Sequence, residues 1–173
     1  AVTDHVRSHY SSKDARHLVL ITLQKEVVSS PFAVAGTIDR WLADNDKRLS
    51  STERSSLSNI QSIVNDIGET TKQQRLADIV ETIQGRLETT RLIVFTQFRP
   101  TQDAIADRVE ELDLPAHVVN GDLSSKAKEK KVADFEQEGG VMVATDSISE
   151  GRNMQFCNVL VNYDLPWNPM KVE

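Results

Sequence analysis

The apolar positions of the chain fall into two textures that change near Arg91. Up to about Thr90 their spacing is helical. Leu18, Ile21 and Leu23 belong to a first apolar helix that runs to Val28. Ser30-Pro31 then marks a stop and a restart, a capping serine followed by a proline at the first helical position. The restarted helix carries Phe32, Ala35, Ile38, Trp41 and Leu42. The serine- and charge-rich stretch Asp44–Ser56 reads as a loop leading into a third helix with Leu57, Ile60, Val64 and Ile67 in phase. A fourth helix shows an amphipathic stripe of Leu76, Ile79, Val80, Ile83 and Leu87.

After Arg91 the pattern alternates. Leu92–Phe95 is short, wholly apolar and rich in β-branched residues, as expected of a strand buried on both faces. A helix follows with Ile105, Val109 and Leu112 on one side, then a strand at Ala116–Val119, a helix at Ser124–Phe135, and strands at Val141–Ala144 and Val159–Val161. This rhythm predicts a parallel sheet with crossover helices. Such sheets bind ligands beyond the carboxyl ends of their strands. The residues there are Thr96-Gln97-Phe98, Asn120-Gly121-Asp122, Thr145-Asp146 leading to Glu150-Gly151-Arg152-Asn153, and Asn162-Tyr163-Asp164. All four ends are polar. Ordinary turns are polar too, so the argument rests on four of them sharing one rim.

Composition narrows the class. The chain has 173 residues, 39% apolar and 27% charged, which suits a globular domain whose core is aliphatic, aromatics being only 5%. No apolar run approaches the ~20 residues that span a bilayer. No charged-then-apolar leader opens the chain, so an intracellular, cytoplasmic protein is expected. Cys157 is the single cysteine, which excludes an internal disulfide and a cysteine-based zinc site; a buried, inert thiol is expected. A net charge of −6 excludes a surface coated in basic groups but leaves room for a local phosphate-binding patch.

Three segments carry a resemblance. Val141-Met142-Val143-Ala144-Thr145-Asp146, then Glu150-Gly151-Arg152-Asn153-Met154-Gln155, then Val161-Asn162-Tyr163-Asp164-Leu165-Pro166-Trp167-Asn168-Pro169 resemble the motif V region of Swi/Snf-type ATPases, superfamily-two helicase-like DNA translocases. Leu92–Phe98 resembles the motif IV strand of that family, and Gly121 through Phe135 its glycine turn and following helix. Leu18–Pro31 is similar to the helical segment that precedes the lobe. Arg152 is apolar in many members and points to a bacterial branch. The resemblance implies a RecA-like α/β lobe over 91–173, cut short at its C-terminal end, with a helical segment over 1–90 leading into it.

The family implies a mechanism in which two RecA-like lobes close on ATP and Mg²⁺, and opening and closing walks the pair along double-stranded DNA. The partners implied are duplex DNA, the first lobe of the same protein, and a protein–nucleic acid complex as a remodelling target. By the same resemblance Glu150 and Gly151 shape a loop facing the nucleotide, and Asn153 reaches toward its ribose. Thr96, Gln97, Gly121, Lys128 and Thr145 are the implied nucleic-acid contacts. The sequence holds no G-x-x-x-x-G-K-S/T phosphate loop and no Asp-Glu pair. It ends at Glu173, where the family's Gln-x-x-Gly-Arg-x-x-Arg element would begin. Arginines of that kind contribute about 10³–10⁵ in rate in related hydrolases. The 173 residues by themselves are therefore expected not to hydrolyse ATP.

Each assignment has a plainer alternative. Glu150-Gly151 is also a plausible helix end, Asn153 a turn amide and Thr145-Asp146 an N-cap pair. Trp167 is expected to pack beside Pro166 and Pro169. Lys126, Lys128, Lys130 and Lys131 spread around their helix, which is the pattern of a solvated surface; only Lys128 has a motif argument. His5 and His9 have metal-ligand spacing but no third ligand, and His117 suggests no partner. Two other functions stay open: the second lobe of an RNA helicase, and a stand-alone α/β interaction domain.

Overall fold

The computed structural model describes residues 6, 13–44, 49–86, 89–145, 154–157 and 159–165. The chain forms two compact units, Ala1–Gly68 and Glu69–Glu173.

The first unit contains helices α1 (Lys13–Ser29), α2 (Pro31–Asp44) and α3 (Ser51–Asn65). Val6, Leu23, Ile38, Trp41 and Leu57 form its core. The Ser30-Pro31 restart occurs as the residue types dictate, with the Ser30 hydroxyl accepting from the Ala33 amide at 3.2 Å. Helix α3 begins at Ser51, inside the stretch expected to be loop. Ser50 accepts from the Glu53 amide, and the Glu53 carboxylate accepts in return from the Ser50 amide, so a capping box nucleates the helix ahead of its first apolar residue. Leu18, Val27 and Val28 of α1 are exposed, so only part of the expected apolar face is buried.

In the second unit, helix α4 (Thr71–Gln84) precedes β1 (Arg91–Phe95), α5 (Arg99–Glu110), β2 (Ala116–Val119), α6 (Ser125–Glu138), β3 (Gly140–Ala144) and β4 (Val159–Asn162). A second capping box, Thr70 with Gln73, starts α4. The helix buries Leu76, Ala77 and Val80, while Ile79 turns outward. Its place is with the sheet: Leu76 and Val80 pack with Ile105 and Val109 of α5 over Leu92, Val94, Val141 and Val143.

The sheet is parallel in the order β2-β3-β1-β4. Side chains alternate between its faces. Leu92 and Val94 face α4 and α5, whereas Ile93, Met142 and Ala144 meet Phe135 of α6. The handedness of crossovers explains the division. The step from β1 to β2 runs one way along the sheet and the step from β2 to β3 runs back, so right-handed connections must put α5 and α6 on opposite faces. The segment between β3 and β4 again moves away from β2. Its residues Met154, Phe156 and Cys157 pack on the α6 face, as the same rule requires. Between the neighbouring strands β1 and β3 the direction of the connections changes, and ligands of open parallel sheets bind at the carboxyl ends of such a pair.

Candidate nucleic-acid and nucleotide interface

Four strand exits lie along one rim. The β1 exit is joined to the β3 exit by the Thr96 amide, which donates to the Ala144 carbonyl at 3.0 Å, and to the β4 exit by the Tyr163 amide, which donates to the Phe95 carbonyl at 2.9 Å. The Thr145 amide donates to the Val119 carbonyl at 3.1 Å and joins β3 to β2.

Side chains tighten these joints. Gln102, in the first half of α5, is fully buried. Its Nε2 donates to the carbonyls of Val119 at 2.9 Å and Val143 at 2.8 Å, and its Oε1 accepts from Asn120 Nδ2 at 3.1 Å. Asn120 Oδ1 in turn accepts from the Asp122 amide at 3.1 Å, which closes the turn after β2. Arg99, the first residue of α5, pairs with Asp122 across the rim. On the other side, Asp164 gathers three donors. Thr96 Oγ1 lies at 2.6 Å, the Gln97 amide at 2.9 Å and Lys72 Nζ at 3.1 Å. The same ammonium stands 4.3 Å from the centre of the Tyr163 ring. Burial raises the Tyr163 pKa; a hydrogen bond with Thr70 acts against this, and the Asp164 charge adds to it.

The residues expected to meet nucleic acid divide into two kinds. Gln97 and Gly121 are exposed on the rim, and Thr145 and Lys128 are half-buried. Gly121 has open space where a Cβ would stand and no positive φ, so the turn itself makes no demand for glycine. Lys128 lies in the first turns of α6, whose N-cap Ser124 accepts from the Ala127 amide at 3.3 Å. Thr96 differs. It is 2% exposed and its hydroxyl is donated to Asp164, so its side chain is engaged within the fold. Glu150, Gly151 and Asn153, the expected nucleotide contacts, lie outside the described residues, as do Asp146, Arg152, Trp167, His5 and His9.

Lys72 and Gln102 are not among the residues singled out by the sequence, and Asp164 stands there only as a strand-end and motif residue with no role of its own. Gln102 carried a signal: it is a polar residue in phase with Ile105 and Val109 on the apolar side of α5. Lys72 and Asp164 are 92 residues apart, and no local pattern pairs them. His117 does have partners. It is buried, with Nε2 at 2.9 Å from the Gly139 carbonyl and its ring centred 5.5 Å from that of Phe135. Lys130 pairs with Asp134 at 2.7 Å, a solvated helix pair. Cys157 Sγ donates to the Arg91 and Val159 carbonyls, and burial raises its pKa.

Among the described residues no group of three or more His, Cys, Asp or Glu could hold a metal ion. No helix among them is long and apolar enough to cross a membrane.

Comparison with known proteins places the chain in a family. The model of the helicase conserved C-terminal domain matches residues 71–173. The uncharacterized ATP-dependent helicase YqhH of Bacillus subtilis is 29% identical over 162 residues, covering 94% of this chain and 28% of that protein. The ATP-dependent RNA helicase DBP2 of Candida glabrata is 27% identical over 122 residues, covering 70% of this chain and 22% of that protein. The chain thus spans about a quarter of the length of these curated relatives. Its fold is shared with the Sulfolobus solfataricus SWI2/SNF2 ATPase core solved in complex with double-stranded DNA, at a TM-score of 0.54 and 18% identity over 86% of this chain and 34% of that one. With a parallel sheet, helices on both faces and a family model that begins at the first residue of α4, the chain belongs to the helicase conserved C-terminal domain family, and its second unit is a RecA-like helicase C-terminal lobe.

Proposed function

We propose that this lobe is the second half of an ATP-driven translocase that acts on double-stranded DNA. The rim carries the reading: Gln97, Gly121, Lys128 and Thr145 come from the exits of β1, β2 and β3 and the start of α6, and all have some exposure. A cation, a side-chain amide and an unobstructed glycine at strand ends suit a phosphodiester backbone, which is held by a few placed donors rather than by overall charge. The Swi/Snf-like run through Trp167-Asn168-Pro169 favours duplex DNA. Glu150, Gly151 and Asn153 are assigned to the nucleotide, which a partner lobe with its own phosphate loop would share. ATP supplies the free energy that opens and closes the pair. Since this chain contains no phosphate loop, it is assigned no ATP turnover of its own. Its compartment follows its substrate, the nucleoid region of a prokaryotic cytoplasm or a eukaryotic nucleus.

The test is ATP hydrolysis by the complete protein with duplex DNA, single-stranded RNA or neither. Stimulation by duplex DNA is expected. Stimulation by RNA alone would favour the second reading, an RNA helicase lobe, which the similarity to DBP2 supports. No stimulation by either would leave a stand-alone interaction domain.

A further inference from the structure

Asp164 takes on more than a turn aspartate requires. Its side chain is 7% exposed, a costly position for a carboxylate without partners. Three donors offset that cost, and they come from two other elements of the fold. Oδ2 accepts from Thr96 Oγ1 at 2.6 Å and from the Gln97 amide at 2.9 Å, both at the exit of β1. Oδ1 accepts from Lys72 Nζ at 3.1 Å, in the first turn of α4. Bonds to an ionised acceptor are short and directional. Lys72 is itself braced by the Tyr163 ring, next to Asp164 in the chain. The consequence is local. Thr96 is spent inward, while the next residue, Gln97, has its backbone held by the same carboxylate and its side chain exposed.

We infer that Asp164 is a positioning residue, which holds the exit of β1 so that Gln97 is presented to the nucleic acid while Thr96 acts as a brace and makes no contact. This rests on the nucleic-acid reading of the rim given above. It assigns a role to Asp164 and Lys72, and it changes the role of Thr96.

The test is a double-mutant cycle on the complete protein, with affinity for a short labelled duplex read by fluorescence anisotropy. Gln97→Ala and Asp164→Asn are each expected to weaken binding by about tenfold, the size of one lost charge-assisted hydrogen bond. Acting through the same side chain, they are expected to be non-additive, with the double variant no more than about twofold worse than either single one. A merely structural Asp164 would give additive losses, about a hundredfold in the double variant, and that outcome overturns the inference. Should Asp164→Asn fail to fold, Thr96→Val removes one donor to the same carboxylate and nearly preserves shape. It is expected to show the same coupling to Gln97→Ala, and additivity there overturns the inference equally. Lys128→Ala separates the two levels. If it weakens binding while the cycle is additive, the rim binds nucleic acid and Asp164 has no positioning role. If neither Lys128→Ala nor Gln97→Ala changes affinity, the reading of the rim fails and the inference fails with it.

Discussion

Gly140 approaches Pro115 so closely that a Cβ on Gly140 would stand 2.2 Å from the Pro115 carbonyl oxygen. That oxygen accepts the Val141 amide at 2.9 Å, so it cannot retreat without breaking the joint at the start of β3. Gly140 also has φ +94°, and Gly139 before it +74°, a backbone region that side chains disfavour. Gly140→Ala is therefore expected to cost about 3 kcal/mol or more, or to prevent folding of the second unit. Urea unfolding followed by circular dichroism reads the loss. A change below about 0.5 kcal/mol would show that the approach is not a constraint.

Gly121 provides the opposite case. A Cβ there meets nothing within 4 Å and the backbone has an ordinary φ. Gly121→Ala is expected to leave stability within about 0.5 kcal/mol of the original. Gly121→Leu, equally free of intramolecular clashes at the Cβ, is expected to weaken nucleic-acid binding by obstructing the rim. The pair of measurements, unfolding and duplex affinity, separates a glycine kept for the fold from one kept for a ligand.

Gln102 is the polar member of an otherwise apolar helix side. Gln102→Leu preserves bulk and removes two donors to strand carbonyls and the acceptor for Asn120. A loss of about 2–4 kcal/mol is expected, since buried carbonyls are left with fewer partners. Denaturant titration measures it, and an unchanged midpoint would contradict the bracing role.

Glu26 introduces a pH dependence into the helical unit. It is 3% exposed; Oε1 accepts from Thr37 Oγ1 at 2.7 Å, Arg40 stands at 4.0 Å, and Oε2 is buried without a partner. Burial raises its pKa above the ordinary 4.5, against the Thr37 bond and the Arg40 charge. A folded-state pKa above the unfolded value favours the folded state below the unfolded pKa, and that contribution is lost as pH rises through the folded one. Glu26→Gln cannot ionise. The stability of the variant relative to the original protein is expected to increase from about pH 4 to about pH 7. Thermal melts across that range, followed by tryptophan fluorescence, provide the comparison. A difference that does not vary with pH would remove Glu26 as the source.

Cys157 is half-buried and its raised pKa reduces the thiolate fraction at neutral pH. Its reaction with a disulfide reagent is expected to be slower than that of a small-molecule thiol in native buffer, and to match it after denaturation. An equal native rate would indicate an accessible, activated sulfur.

Local pattern carried most of the fold. The apolar runs at Leu92–Phe95 and Val141–Ala144 lie within parallel strands, because continuous burial leaves few other uses for such sequences. The starts of α3 and α4 were harder to place by apolar spacing alone. Ser50-x-x-Glu53 and Thr70-x-x-Gln73 are polar signals that precede the stripe by several residues. The rim was legible as a set of strand ends but not as a network. A threonine after a strand reads the same whether its hydroxyl turns outward or, like Thr96, inward to a carboxylate 68 residues away.

The brackets formed by Gln102 and Asp164 have a thermodynamic consequence. The Gln97 amide, the Asn120 side chain and the Asp122 amide are held before any ligand arrives. Their loss of conformational freedom belongs to folding, so association need not supply it again. A ligand seated there would meet a preorganised surface, and the favourable contacts it makes would be offset by little local ordering entropy.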